Sequence, residues 1–397
     1  MSASRKRASK PSELPQTSDT WGLLATQLRV WITPEGETPY RPYVAIVLDL
    51  TRDKLLASQL FPQPPTPDEI EMVLATSMTQ PGRGAGKPRR PAEVVFADAD
   101  LAGSLAPALE RVGGKGRLQP LPEVQNVVAE LEEHMRDGQP EHPGLLSVAG
   151  VTPELAGAVF AAAAEFYRAA PWVALNKAQA LAGRAPAERE PARVVSVMGN
   201  AGLEYGLAVY ERWEDFERVY LGVDDFRETI APEGNLALWF EDMSGVPFDD
   251  LDALQAHGWP VAGERAYPVP IRFFADEGLA RPGPDDLRWL EAALLAIARA
   301  AREHLRPDGQ GDYAPFDVTL TVPALAGATQ VRLTYPAGKL DLARRSVAAP
   351  EWDDAEDEEG PVAFDRRAME GMMAGLGAAL GGARRPADAK LREAQQL

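Results

Sequence analysis

Apolar residues along this chain fall in short blocks whose period alternates between that of a strand and that of a helix. Residues 43–50 (Tyr-Val-Ala-Ile-Val-Leu-Asp-Leu) form a nearly continuous apolar run rich in β-branched side chains, the pattern of a strand covered on both faces. Before it, residues 21–32 alternate polar and apolar positions only loosely, and 34–38 read as a turn. A polar turn at 51–54 lets residues 55–61 return as a hairpin partner. Over 68–78, Ile70, Val73, Leu74 and Met78 share one helical face, with Thr66 placed to cap and Pro67 at the first helical position. Residues 92–97 predict a second buried strand, with Asp98 and Asp100 at its carboxyl end. A helix over 101–112 then lines up Leu101, Leu105, Leu109 and Val112, and Gly113-Gly114 stops it. A short strand at 117–121 and a helix at 123–136 complete an α/β layer pattern.

The Pro- and Gly-containing stretch 139–150 predicts a domain boundary. Beyond it, Thr152-Pro153-Glu154 opens a helix whose apolar face holds Leu155, Val159, Phe160, Ala163 and Phe166/Tyr167. Residues 193–198 and 207–210 flank a glycine-rich turn as a hairpin, followed by an aromatic-rich helix over 211–220, a strand at 235–240 and a short helix at 248–257. From Pro284, Leu287, Leu290, Leu294, Ile297, Ala301 and Leu305 step by three and four, which predicts a long amphipathic helix. Residues 316–322 and 330–335 alternate like a strand pair. The expected organisation is a disordered basic tail (1–20), an α/β domain (21–138), a linker (139–150), a second α+β domain (151–345) and an acidic, largely disordered tail (346–397). The fold class is α/β, and α+β over the whole chain.

Composition narrows the function classes. A chain of 397 residues is long enough for two cores, and 45% hydrophobic with 25% charged residues is a globular balance. The absence of Cys removes disulfides, thiolate nucleophiles and cysteine-ligated metals, and fits a reducing cytoplasm. No apolar run approaches the roughly 18 residues of a membrane-spanning helix, and the N-terminus lacks the apolar core of a secretory signal. These features lead to the expectation of a soluble cytoplasmic protein without membrane association. A formal charge of −18 argues against a nucleic-acid-coating surface and leaves such contact to local basic patches: the N-terminal tail, and Arg83, Lys87, Arg89 and Arg90.

Most chemical motifs fail in detail. Residues 81–88 (Pro-Gly-Arg-Gly-Ala-Gly-Lys-Pro) have the glycines and lysine of a phosphate loop, but Pro81 stands where that loop needs Gly and Pro88 where it needs Ser or Thr. Gly199, Gly202 and Gly206 follow a strand but lead into another strand, whereas pyrophosphate is bound at the start of a helix. His134, His142, His257 and His304 are too scattered for a zinc motif, and no Gly-x-Ser-x-Gly elbow exists.

One constellation survives, and it is acidic. Asp49 ends the first buried strand, Asp98 the next, with Asp100 as its alternative, and Glu130, Glu132 and Glu133 lie on the later helix. Carboxylates at neighbouring strand ends, joined by one from a helix, are what two Mg²⁺ ions need for phosphoryl displacement. The segments Val-Leu-Asp-Leu-Thr-Arg (47–52) and Val-Val-Phe-Ala-Asp-Ala-Asp (94–100) make residues 41–137 resemble the ribonuclease-H-like integrase and transposase core. That resemblance implies a ribonuclease-H-like mixed sheet with flanking helices. It also implies metal binding at Asp49 and Asp98 and catalysis by these two with Glu133 or Glu130. The ordinary alternative is that Asp49 ends a strand, Asp98 or Asp100 caps a helix and the glutamates form a solvated face.

Residues 166–172 (Phe-Tyr-Arg-Ala-Ala-Pro-Trp) and the hairpin from Val197 to Tyr210 are similar to segments of an uncharacterised bacterial two-domain family, over most of residues 20–340. That family implies no activity. Residues 387–397 resemble the first helix of a helical-repeat extension. The leading expectation is a non-catalytic binding or adaptor protein with an unidentified protein partner. Phe166, Tyr167, Trp172, Tyr205, Tyr210, Trp213 and Phe216 are either a recognition surface or the core of the second domain. A divergent Mg²⁺-dependent nuclease or strand-transfer enzyme is the alternative, and only that alternative brings a cofactor.

Overall fold

The computed structural model describes residues 10–34, 39–136, 142–200, 202, 204–221, 234–274, 278–308 and 312–340. The acidic tail at 346–397, including the segment 387–397 that resembles a helical-repeat helix, lies outside the described residues, as do residues 1–9 of the basic tail. The chain divides between Pro140 and Glu141 into two compact units, each with its own sheet.

In the first unit, β1 (Thr20–Gln27), β2 (Tyr43–Asp49) and β3 (Lys54–Phe61) form an antiparallel meander. Next come α1 (Pro67–Thr79), β4 (Glu93–Phe96), α2 (Ala99–Arg111), β5 (Lys115–Leu118) and α3 (Pro122–Arg136). The sheet order is β3-β2-β1-β4-β5, with β4 parallel to β1 and β5 parallel to β4. Alternation along β1 explains the layering: Trp21 and Leu23 pack with the apolar stripes of α1 and α2, while Leu24 joins Val124 and Val128 of α3 on the other face. Gly22 is where α3 comes closest, since a Cβ there would stand 3.0 Å from both Leu121 and Val124. Helix α1 starts as its sequence predicts. The Thr66 hydroxyl accepts from the Glu69 N–H, and the Glu69 carboxylate accepts from the Thr66 N–H at 2.7 Å.

The second unit opens with a 3-10 turn (Leu145–Ser147) and α4 (Pro153–Ala169). Strands β6 (Leu181–Arg184), β7 (Arg193–Met198) and β8 (Tyr205–Tyr210) follow, then α5 (Trp213–Leu221), β9 (Asn235–Glu241) and α6 (Phe248–His257). The unit continues with β10 (Tyr267–Phe274), β11 (Gly278–Ala280), α7 (Pro284–Glu303), β12 (Phe316–Ala324) and β13 (Gly327–Tyr335). All eight strands pair antiparallel in the order β11-β10-β9-β8-β7-β6-β13-β12. Helices α4 and α7 bury their apolar faces on one side, against Val195, Val197, Leu207, Val209, Leu236 and Leu238. The remaining face carries Val194 and Tyr210 in a smaller cluster with Phe216 of α5. Both faces are therefore largely apolar, which is why Leu236–Phe240 of β9 is a continuous hydrophobic run and Ser196 is the one polar residue within Val194–Met198 of β7.

Three expectations need correction. Residues 10–20, placed in a disordered tail, hold a 3-10 turn (Pro11–Glu13), a buried Leu14 and a buried Asp19. The loosely patterned 21–32 contains the central strand of the first sheet. Residues 142–150, assigned to a linker, belong to the second unit: Leu145 is fully buried in its core, and its N–H donates to Asp250 Oδ1 at 2.6 Å. Strand β10 escaped the sequence pattern because Pro268 and Pro270 interrupt it. The structure tolerates both prolines because β11 pairs only with Arg272–Phe274, leaving the proline segment as an edge that needs no outward N–H. No helix among the described residues is long and apolar enough to cross a membrane.

Candidate functional sites

Strand direction decides the fate of the acidic constellation. β1 lies between β2 and β4, antiparallel to the first and parallel to the second, so the carboxyl ends of β2 and β4 reach opposite edges of the sheet. Asp49 is level with Trp21 and so with Val94, and Asp98 lies four residues further on. That displacement is roughly 13 Å along the strands, with a whole strand intervening. Two metal ions about 4 Å apart cannot be shared across such a gap. The Asp98 carboxylate caps α2, accepting from the Leu101 N–H at 2.7 Å, and Asp100 is exposed in the first turn of the same helix. On α3, Glu130 and Glu133 are exposed, while Glu132 accepts from the backbone N–H of Arg29 at 2.7 Å. Among the described residues no group of three His, Asp or Glu side chains could hold a metal ion.

Asp49 has a different employment. Its carboxylate is fully buried and accepts from the N–H groups of Thr51 (3.0 Å) and Arg52 (3.1 Å), from Arg52 Nη1 (3.0 Å) and from Arg89 Nη2 (2.6 Å). Arg89, 6% exposed, also donates Nε to Asp19 at 2.7 Å, and Arg52 Nη1 donates to Asp19 as well. Two carboxylates thus meet two guanidiniums under the sheet edge. Burial acts to raise the Asp19 pKa, but the hydrogen bonds from Arg89, Arg52 and Thr17 outweigh it and hold the carboxyl below its ordinary range. The local basic patch at 83–90 is half structural: Arg89 is this hub, and Arg90 donates Nε to Leu14 O at 2.9 Å and Nη1 to Val112 O at 2.5 Å.

The second unit contains a cavity of about 100 Å³ between α5 and the sheet face opposite α4 and α7. Ala208, Ala237, Met198 and Phe273 come from the strands, and Phe216, Val219 and Tyr220 from α5. Small residues on β8 and β9 leave the space that α5 roofs. Its polar groups are few and deeply placed. Asn235, 8% exposed, and Trp239, 2% exposed, stand on the same face of β9, and neither Asn235 Oδ1 nor Trp239 Nε1 has a hydrogen-bond partner among the described residues. Buried polar atoms are ordinarily paired, so each such exception asks for a reason. Burial alone pushes the Tyr210 phenol well above its usual value. Ser196 donates to the Lys177 carbonyl at 2.9 Å, and both residues line the same space. Burial lowers the Lys177 pKa against the pull of Glu204, and burial raises that of Glu204 against the pull of Lys177.

Nearby at the end of β9, burial, then Asp242 and Glu204, push Glu241 from 4.5 up to about 7. A carboxyl raised on folding favours the native state below its unfolded pKa and loses that contribution as pH rises through the folded value. Unfolding free energy is therefore expected to fall by up to about 3 kcal/mol over this window, with Glu241→Gln flattening the slope. Denaturant titrations at pH 5 and pH 8 check it; equal slopes in both chains would remove Glu241 from the account.

The aromatic residues grouped by sequence divide across the sheet. Phe166, Tyr167, Trp172 and Tyr205 pack with Phe240 on the α4 side, with ring centroids 4.9 to 6.3 Å apart. Tyr210, Trp213 and Phe216 lie on the other side, where only Tyr210 and Phe216 line the cavity. The Asn235–Trp239 pair and Lys177 were missed. Their one signal was an Asn opening an otherwise apolar strand.

Fold and cavity together define an α/β chain of two units, the second an eight-stranded antiparallel sheet with a small, mostly apolar pocket under one helix. Residues 157–280 match the model of a family described as a domain of unknown function, DUF7309. Every residue lining the cavity falls in that span, as do the segments 166–172 and 197–210. No curated protein matches the chain.

Proposed function

We propose that this chain is a binding protein whose second unit holds a small, largely apolar molecule bearing a hydrogen-bonding group. The observation that carries this reading is the pair of buried, unpartnered atoms, Asn235 Oδ1 and Trp239 Nε1, in one apolar cavity. Leaving such atoms unpaired costs about 1–3 kcal/mol each, and a ligand offering a donor to Asn235 or an acceptor to Trp239 recovers it. Binding rather than catalysis is preferred because the polar groups are sparse and include no paired nucleophile and base.

Metal-dependent phosphodiester chemistry in the first unit is the alternative implied by its likeness to ribonuclease-H-like proteins. The mixed sheet with flanking helices supports the likeness, but a fold does not carry chemistry. Asp49, Asp98 and Glu133 are the residues that would hold Mg²⁺, and the strand register separates the first two, so we do not adopt it.

The test is calorimetric titration of the full chain with benzamide and with toluene, alongside native mass spectrometry of the purified protein. Benzamide, with one donor and one acceptor on a flat apolar body, is expected to bind more tightly than toluene by about tenfold, the worth of one recovered hydrogen bond. Ala237→Leu, which fills the cavity from its floor, is expected to fold with unchanged or higher stability and to lose binding. Absence of saturable heat from both probes, together with no small molecule retained on the native protein, would sink the proposal.

A further inference from the structure

A second cleft, of about 430 Å³, opens in the first unit between the β2–β3 turn and the glycine-rich loop that precedes β4. Its lining includes Thr17, Arg52, Lys54, Gly84, Gly86 and Lys87. In a chain of net charge −18 this is a local reversal of sign. The two acids beneath it, Asp19 and Asp49, are matched by Arg89 and Arg52. Among the described residues no carboxylate pairs with Lys54 or Lys87, both exposed, so the cleft keeps two positive charges of its own.

The loop is built rather than slack. Arg89 Nη1 donates to Ala85 O (2.9 Å) and Lys87 O (3.2 Å), drawing those carbonyls inward, and Ala85 is buried. Gly82 N–H donates to Leu56 O at 2.8 Å, and Ala85 N–H to Gly82 O at 3.0 Å. Gly84 and Gly86 take φ of 83° and 99°, which side chains rarely adopt. Among the described residues nothing accepts from the N–H groups of Arg83, Gly84, Gly86 and Lys87. Two adjacent pairs of free N–H groups, Arg83 with Gly84 and Gly86 with Lys87, in a turn of alternating hand and flanked by cations form an anion-binding concavity.

We infer that this cleft binds the phosphate end of a small phosphorylated molecule, held by Lys54, Lys87 and the backbone N–H groups of Arg83, Gly84, Gly86 and Lys87. The volume lies within the range of small-molecule sites, which favours a compact ligand over an extended strand. The proposal is independent of the apolar cavity and uses none of its residues.

The experiment titrates the full chain with inorganic phosphate, pyrophosphate and ATP, and with a single-stranded oligonucleotide, at low and at physiological ionic strength. Saturable one-to-one binding of pyrophosphate or ATP is expected, weakened roughly tenfold by Lys54→Gln and again by Lys87→Gln, as for loss of one charge-assisted hydrogen bond each. Both lysines are exposed, so the variants should melt with the parent. Pyrophosphate alone binding would assign the phosphate groups, and tighter ATP binding a nucleoside phosphate; either supports the site. No saturable binding up to about 10 mM, affinities unchanged in both variants, or tighter binding of the oligonucleotide than of ATP would overturn it.

Discussion

Replacing Arg89 by Met is expected to destabilise the first unit by about 3–5 kcal/mol, because it strands Asp19 and Asp49, both buried, with only the half-exposed Arg52 between them. The loss has a second component. Ala85 O and Lys87 O lose their shared donor, so the glycine-rich loop loosens with the core beneath it. Acidity should narrow the difference. Asp19 is held below its ordinary pKa in the folded chain, so its stabilising share is present above the unfolded value and disappears as pH falls through the folded one. The gap between parent and variant is therefore expected to be widest near neutrality and to shrink below about pH 4. Hydrogen exchange of the β1 and β4 amides reports the first unit without mixing in the second, which matters because two units need not unfold together. A variant whose protection matches the parent at pH 7 would show that the hub is dispensable.

The second large effect belongs to the other unit. Asp250 Oδ1 accepts from Leu145 N–H at 2.6 Å, and Asp250 Oδ2 accepts from Arg281 Nη2. The Arg281 side chain is 6% exposed, and its Nε and Nη1 have no further partner among the described residues. Asp250→Ala leaves a buried guanidinium with no anion and a buried N–H with no acceptor, at an expected cost of about 3–5 kcal/mol. Removing both charges is a different matter. Asp250→Ala combined with Arg281→Met should recover most of that loss, since an apolar replacement of a buried pair is often neutral. Denaturant unfolding of the parent, Asp250→Ala, Arg281→Met and the double variant, arranged as a cycle, measures the coupling. If the double variant is as unstable as Asp250→Ala alone, the penalty comes from the lost Leu145 contact and from packing, and the stranded-charge explanation fails.

Both networks bear on how much of this protein its sequence discloses. Elements with a regular period were legible. The α1 cap at Thr66-Pro67, the β7–β8 hairpin and the Leu287, Leu290, Leu294, Ile297 stripe of α7 stand where residue spacing predicts them. Legibility failed where an element's reason lies outside it. β1 reads loosely because its two faces meet different layers, with Gly22 making room for α3. β10 is hidden by prolines that only an edge position can tolerate.

The candidate acids show the same limit. Asp49 ends β2 and Asp98 follows β4 as the cap of α2, yet strand direction puts those two positions at opposite ends of the strands, and direction is set by pairing with β1. Arg89 read as part of a local basic patch because its partners, Asp19 and Asp49, lie 70 and 40 positions away. Asn235 and Trp239 became a candidate site only when α5 was seen to roof the alanines beside them.

Composition, the absence of cysteine, the α/β pattern and most element boundaries follow from the sequence by itself, because propensity and hydrophobic period act over a few residues. Sheet order, the ownership of residues 142–150, the pairing of the buried charges and both clefts were decided only in three dimensions. Each depends on which distant segments share a face, and that choice is made by the burial of whole layers rather than by any local stretch of chain.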